Sequence, residues 1–278
     1  MRVHKIIGAL NNIKTITKGS GIAPHFINLL RKSAKFDLGR FGTEDHDTFN
    51  ALTATGYDII SNGLYAPPYP LTYVELVIDG GKSSRYEGVL SATSKWFSSI
   101  PGLPPEVVET LHDNPEKIRH FIIRGGYEDD VNCYGIGLYY FEISKEGVFT
   151  GGTIDGTPPT PEVFNDDAAM VKVVLALLSG LLTTRKAEVV YHPVAEKLNR
   201  ARLKRGVEPT YAHHTIKIGG VSTTGRVLGI GATHASPRKH WRRGHVRVLH
   251  RDTSKEKKTL IPACLINGRG FISKEYSA

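Results

Sequence analysis

Apolar positions recur with a helical period early in the chain. Residues 1–40 read as helical in pieces. Phe26, Leu29 and Leu30 share one face of Ile22–Lys35, after breaks at Gly19 and Gly21. A second helix is predicted to start at Thr43, an N-cap residue followed by acids, and to end at Asn62-Gly63. Phe49, Leu52, Ala54 and Ile59 form its apolar side. The pattern then changes. Pro67, Pro68 and Pro70 exclude a helix interior, and Tyr73–Ile78 alternates as a strand up to Asp79-Gly80-Gly81. Glu87–Thr93 reads as its partner. His120–Arg124 reads as a short strand ending at Gly125-Gly126. Cys133–Ile143 and Val148–Ile154 form a hairpin about Lys145-Glu146-Gly147. Leu103–His112 is a short predicted helix beginning near Pro104-Pro105.

The Pro-rich stretch Thr157–Pro161 reads as a rigid linker. Asn165-Asp166-Asp167 then caps the apolar helix Ala168–Thr183. Lys172 and Ser179 interrupt this helix, and it is shorter than the roughly 20 residues that cross a bilayer, so it is expected to be buried in protein. Ala195–Arg205 is a basic helix ended by Gly206. His214–Ile218, Val246–Arg251 and Lys258–Ile266 read as strands, the last two flanking the turn Asp252–Lys257. Helices and strands do not alternate regularly, so the expected class is α+β. Its sheet is mostly antiparallel, with packed helices and a basic C-terminal part containing a β-hairpin. The expected division is an acidic helix-plus-sheet region over 1–156 and a basic helical and hairpin region over 157–278, which can also form one continuous domain.

Charge sharpens this picture. Residues 1–184 hold 16 Lys/Arg against 21 Asp/Glu, whereas residues 185–278 hold 20 against 6. The formal net charge of +9 therefore belongs to the last third, an asymmetry that points to an anionic partner, above all nucleic acid. Another acidic partner, or a basic surface kept for solubility, would give the same imbalance. The extreme is His234–Arg251, HASPRKHWRRGHVRVLHR, with six Lys/Arg, four His, one Trp and no acid. Guanidinium forks suit phosphate oxygens, which makes Arg238, Lys239, Arg242, Arg243, Arg247 and Arg251 the candidate phosphate contacts. Arg200, Arg202, Lys204 and Arg205 on the preceding helix would assist. Trp241 would stack on an exposed base or pack into the core. Strand alternation would put Arg247 and Arg251 on one face.

The histidines suggest chemistry. His240 and His245 lie among cations, so they are candidate acid and base for phosphodiester cleavage. A zinc site among His234, His240, His245 and His250 is disfavoured by those same cations, and the chain has no HExxH or CxxC spacing. No metal or other cofactor is expected. Gly225–Gly231 lacks the Walker pattern, and no nucleophile elbow is present. Glu44-Asp45-His46-Asp47 reads as a helix start and Glu128-Asp129-Asp130 as a solvated turn. Cys133 and Cys264 lie in separate apolar runs and do not suggest a disulfide framework. The N-terminal stretch MRVHKIIGALNNIKTITKG has no secretory apolar core.

Two stretches taken together carry a resemblance. They are LNRARLKRGVEPTYAHHTIKI (Leu198–Ile218) and HASPRKHWRRGHVRVL (His234–Leu249), followed by Ile266-Asn267-Gly268. In that order they resemble the C-terminal part of a widespread group of uncharacterised bacteriophage and prophage proteins. LYAPPYPLTYVEL is similar to a strand entry in that group, and Arg242–His245 is the most specific part. The resemblance covers roughly the last 80 residues well. It implies a phage-encoded protein acting in the host bacterial cytoplasm. Three functions are compatible with the residues: a nucleic-acid-binding accessory protein without chemistry of its own; a phosphodiester- or nucleotide-cleaving enzyme using His240 and His245; or a protein that inhibits or redirects a host factor such as a polymerase or defence enzyme. No membrane partner is expected.

Overall fold

A computed structural model describes residues 3–12, 22–42, 45–79, 84–96, 105, 109, 117–127, 135–136, 139–144, 148–153, 160–184, 187–218, 240–242, 244–251, 256–262 and 264–266. In chain order its elements are α1 (Val3–Asn12), α2 (Ile22–Lys32), β1 (Ala34–Phe41), α3 (His46–Ser61), β2 (Leu71–Asp79), β3 (Ser84–Thr93) and β4 (Ile118–Tyr127). These are followed by β5 (Gly135–Ile136), β6 (Tyr139–Ile143), β7 (Phe149–Thr153), α4 (Pro161–Thr183), β8 (Ala187–His192), α5 (Glu196–Lys204) and β9 (His213–Ile218). Four short strands close the series: β10 (His240–Arg242), β11 (His245–Leu249), β12 (Lys257–Ile261) and β13 (Cys264–Ile266).

The class is α+β, built on a nine-stranded sheet of order β7-β6-β4-β3-β2-β1-β9-β8, with β5 on β4. Most pairs are antiparallel. β1 departs from this, running parallel to both β2 and β9. Helices cover both faces. On one, Val3, Ile6 and Ile7 of α1 and Phe26, Leu29 and Leu30 of α2 pack on Tyr73, Tyr86, Leu90 and Phe121. Their i, i+3, i+4 spacing gives each short helix a single apolar stripe. On the other face α4 crosses the sheet and α3 packs on α4. The run Val174–Leu181 is buried all round because it lies between the sheet and α3. Each large side chain there contributes about 1.5–3 kcal/mol of burial. The α3–α4 crossing is close because both helices present glycine. A Cβ on Gly56 would stand 1.8 Å from the Ala176 carbonyl oxygen, and one on Gly180 would stand 2.1 Å from that of Leu52.

Several sequence expectations change. The early helical reading ends at Lys32, and β1 follows at once. β4 runs through Gly125-Gly126 rather than stopping there. The apolar helix starts seven residues before Ala168, at Pro161. Its cap is Thr160, whose side chain accepts from the Val163 amide at 3.4 Å, with Pro161 in the first turn. Asn165–Asp167 lie within the helix. α3 begins at His46, and its flanking Asp45 is buried and accepts from the Gly42 amide. Thr43, Gly80-Gly81, Cys133, Glu128–Asp130, Lys145–Gly147 and most of 103–112 lie outside the described residues. Strands from both sides of residue 156 share the sheet, β9 lying against β1. Among the described residues no helix is long and apolar enough to cross a membrane.

Candidate functional site

The basic segment folds into two small antiparallel ladders. β10 pairs with β13, and β11 pairs with β12 from His245↔Ile261 to Leu249↔Lys257. The stretch ahead of the expected hairpin contains a strand of its own, His240–Arg242. In the β11–β12 ribbon, alternation separates two faces. Val246, Val248 and Leu260 are half-buried on the side of α3. There Lys258 Nζ donates to the Asn62 carbonyl at 3.0 Å, and the Gly244 amide donates to Thr55 Oγ1 at 3.0 Å. The opposite face exposes His245, Arg247 and Lys257. Arg251 is exposed but does not continue that row. β11 ends at Leu249, and His250 takes φ 51°, turning the chain. The backbones of Trp241 and Arg242 lie on β10. Arg238, Lys239 and Arg243 lie outside the described residues. His240 and His245 sit on different ladders, five residues apart in sequence.

The basic helix α5 is elsewhere. None of its residues is buried, and Arg200, Lys204 and the following Arg205 are exposed. Arg202 is half-buried, its Nε donating to the Glu208 carbonyl at 2.8 Å. Glu208 in turn receives Arg31 of α2 in a two-pronged contact at 3.0 and 2.9 Å. α5 is thereby tied to the α1/α2 face of the sheet, whereas the ribbon leans on α3, which belongs to the other face. Among the described residues, the cations of the last third lie on two separate surfaces.

A third feature has no local sequence signature. Gly63, Tyr65, Lys117, Ile118, His120, Ile143 and Ser144 line a cavity of about 240 Å³ at the end of α3. His120 is 1% exposed, and its Nδ1 lies 2.8 Å from Ser91 Oγ. Burial pushes its pKa down to about 3, so the ring is neutral, with one donor and one acceptor nitrogen. Tyr65 stands edge-on to it, ring centres 5.6 Å apart. The Tyr65 hydroxyl is buried near Ser91, and among the described residues no group meets it in hydrogen-bonding geometry. Lys117 and the buried Arg119 both pair with Glu142, Arg119 Nε at 2.8 Å, and strand alternation sets Arg119 on the opposite face of β4 from His120. Two cations on one carboxylate leave a net positive charge.

Other titratable groups serve the fold. Lys35 is 3% exposed, donates to the carbonyls of Arg31 and Ser33, and lies over the Tyr211 ring. Burial lowers its pKa to about 8, with Glu75 pulling the other way. Glu75 accepts from the Tyr86 hydroxyl at 2.7 Å under α1 and α2, a closed position for any ligand. His192 stacks on His213 at 4.9 Å near the sheet margin, and His214 stacks on Phe36. Among the described residues no group of three His, Cys, Asp or Glu is arranged to hold a metal ion. Comparison with models of protein families, with characterised proteins and with solved structures finds no match.

Proposed function

We propose that this protein binds nucleic acid through its basic C-terminal third and acts as a phage-encoded accessory factor in the host cytoplasm. The observation that carries the reading is the β11–β12 ribbon. One of its faces is held against α3, and the other turns His245, Arg247 and Lys257 to solvent, with Arg251 exposed beyond its end. A two-stranded ribbon fits the major groove of duplex DNA, and exposed Arg and Lys side chains supply phosphate contacts. Arg238, Lys239, Arg242, Arg243 and Trp241 would extend this surface. Arg200, Lys204 and Arg205 would meet a second segment of a strand that wraps the molecule.

Salt titration tests the reading. Five phosphate contacts on duplex DNA give a log–log slope of affinity against salt of about −4.5. Arg247→Ala with Lys257→Ala removes two contacts and flattens the slope by about 1.8. Absence of DNA and RNA binding at low salt would overturn the reading.

A second reading, a protein that engages a host polymerase or defence enzyme, is favoured by a different observation. Tyr191 on β8, Leu198 and Leu203 on α5, and Val207 just after α5 are 59%, 47%, 61% and 40% exposed. Large apolar side chains left exposed suit a protein partner. The cleavage reading would need His240 and His245 at one phosphate, and nothing in their backbone placement favours it.

A further inference from the structure

β8 is the last strand of the sheet, and among the described residues no strand pairs with its outer edge. An open edge turns amides and carbonyls outward and recruits another strand unless it is defended. β8 lacks the usual defences. Its sequence, AEVVYH, has no lysine, proline or glycine. Its pairing with β9 runs without a bulge from Ala187↔Ile218 to His192↔His213. Val189 and Tyr191 share the face on which Ala187 meets the α4 core, and they are 45% and 59% exposed. The edge thus carries apolar side chains where a solvent-facing strand would carry charge.

The order of the residues indicates what covers this edge. Glu188, Val189, Val190, Tyr191 and His192 read as acid, three apolar residues and imidazole. In an antiparallel pair, residues directly opposite each other share a face. A strand that pairs with its own copy about a twofold axis is therefore centred on a residue. Centred on Val190, Glu188 meets His192 of the second copy and Val189 meets Tyr191, and each pair occurs twice. Centred on Val189, Glu188 would lie opposite Val190, and its carboxylate would lose that partner. His192 Nε2 lies 3.0 Å from Thr215 Oγ1. When it accepts from that hydroxyl, the ring carries its proton on Nδ1 and can donate it to the carboxylate opposite. An unrelated extended peptide could use the backbone of this edge, but the reciprocal order of side chains matches the strand itself.

We propose that β8 is a dimerisation edge, which pairs antiparallel with β8 of a second copy about a twofold axis at Val190 and joins two sheets into one. A contact of one short strand is at the small end of specific interfaces, so the dimer is reversible and depends on concentration. The inference does not rest on nucleic-acid binding by the ribbon.

Sedimentation velocity of the full chain from about 5 to 500 μM in roughly 0.15 M salt tests it. Wild type should move from monomer toward dimer as concentration rises. Tyr191→Lys, at an exposed position, should weaken the dimer roughly tenfold or more. Glu188→Lys, which sets an ammonium against His192, should also weaken it, and adding His192→Glu should restore it. Crosslinking reads the register. With oxidised glutathione, Val190→Cys should give a disulfide-linked dimer, because the two copies of that residue face each other. Val189→Cys, whose copies are staggered, should not. Glu188 and Tyr191 are exposed, so their variants keep the test alive if a cysteine variant fails to fold. Wild type that stays monomeric at every concentration overturns the proposal, and is the result expected if the edge serves a host protein instead. So does a dimer that Tyr191→Lys leaves unchanged, or one that crosslinks through Val189→Cys in place of Val190→Cys. Arg247→Ala with Lys257→Ala should leave dimerisation intact, so the two proposals fail separately.

Discussion

His120 should make folding stability depend on pH, and the dependence can be isolated. In the folded protein burial depresses its pKa from 6.5 to about 3. Between those values the unfolded chain holds one proton that the folded chain refuses. The contribution of His120 to stability is therefore fully present above the unfolded pKa and is lost as pH falls toward the folded one. The limiting slope is about 1.4 kcal/mol per pH unit, and the whole range is worth about 5 kcal/mol. Integrated from pH 7 to pH 5, the loss is about 2 kcal/mol. Urea unfolding of wild type and His120→Gln at several pH values measures it. The variant also loses the Ser91 contact, so its absolute stability is uninformative, and the difference in slope carries the test. His4, shifted to about 4, and His25 and His213, also lowered by burial, add slope of the same sign. They are present in both proteins and cancel in the difference. Wild type should lose about 2 kcal/mol more than the variant over that interval. Parallel curves would mean that His120 protonates in the folded state near its ordinary pKa, which would refute both the burial argument and its neutrality in the cavity.

Gly180→Ala should destabilise by about 2–4 kcal/mol in urea unfolding. The clash is with the Leu52 backbone, which no rotamer relieves, and it exceeds the ~1 kcal/mol of helix propensity gained. Adding Gly56→Ala should cost less than it does alone, because the first substitution already parts α3 from α4. Arg119→Met should cost about 2–3 kcal/mol by thermal unfolding. This is below the usual loss for breaking a buried pair, because Glu142 keeps Lys117.

The apolar periodicity of α2, α3 and α4 was legible because each helix buries a stripe or, in α4, its whole middle. β1 was not, and the reason is physical. Its segment AKFDLGRF alternates only as far as Leu38 before the register slips between Asp37 and Arg40, and Lys35 falls on a face where a buried lysine finds carbonyls and an aromatic ring instead of water. A rule that places charges outside fails where the fold supplies partners. β8 escaped for the opposite reason: it is an edge strand with Val189 and Tyr191 exposed, so burial imposes no clear alternation. At Thr160-Pro161 a proline-rich stretch looked like a linker, although Thr before Pro is also a helix start. The cavity was invisible because Tyr65 lies between α3 and β2, Ser91 on β3 and His120 on β4, and only the register of β3 on β4, Ser91↔His120, unites two of them.

The charge asymmetry now has a different meaning. Read along the chain, the last third is a basic block beside an acidic one. Folded, β9 sits beside β1, and the basic residues part to either side of the sheet. Some of them act within the fold: Arg202 holds the Glu208 carbonyl, and Lys258 holds that of Asn62. Among the described residues, the cations left exposed lie on the ribbon on one side and on and just after α5 on the other. Each side carries fewer cations than the sequence suggests, so affinity for a short rigid duplex should be modest, and a longer or flexible strand able to reach both should bind more tightly.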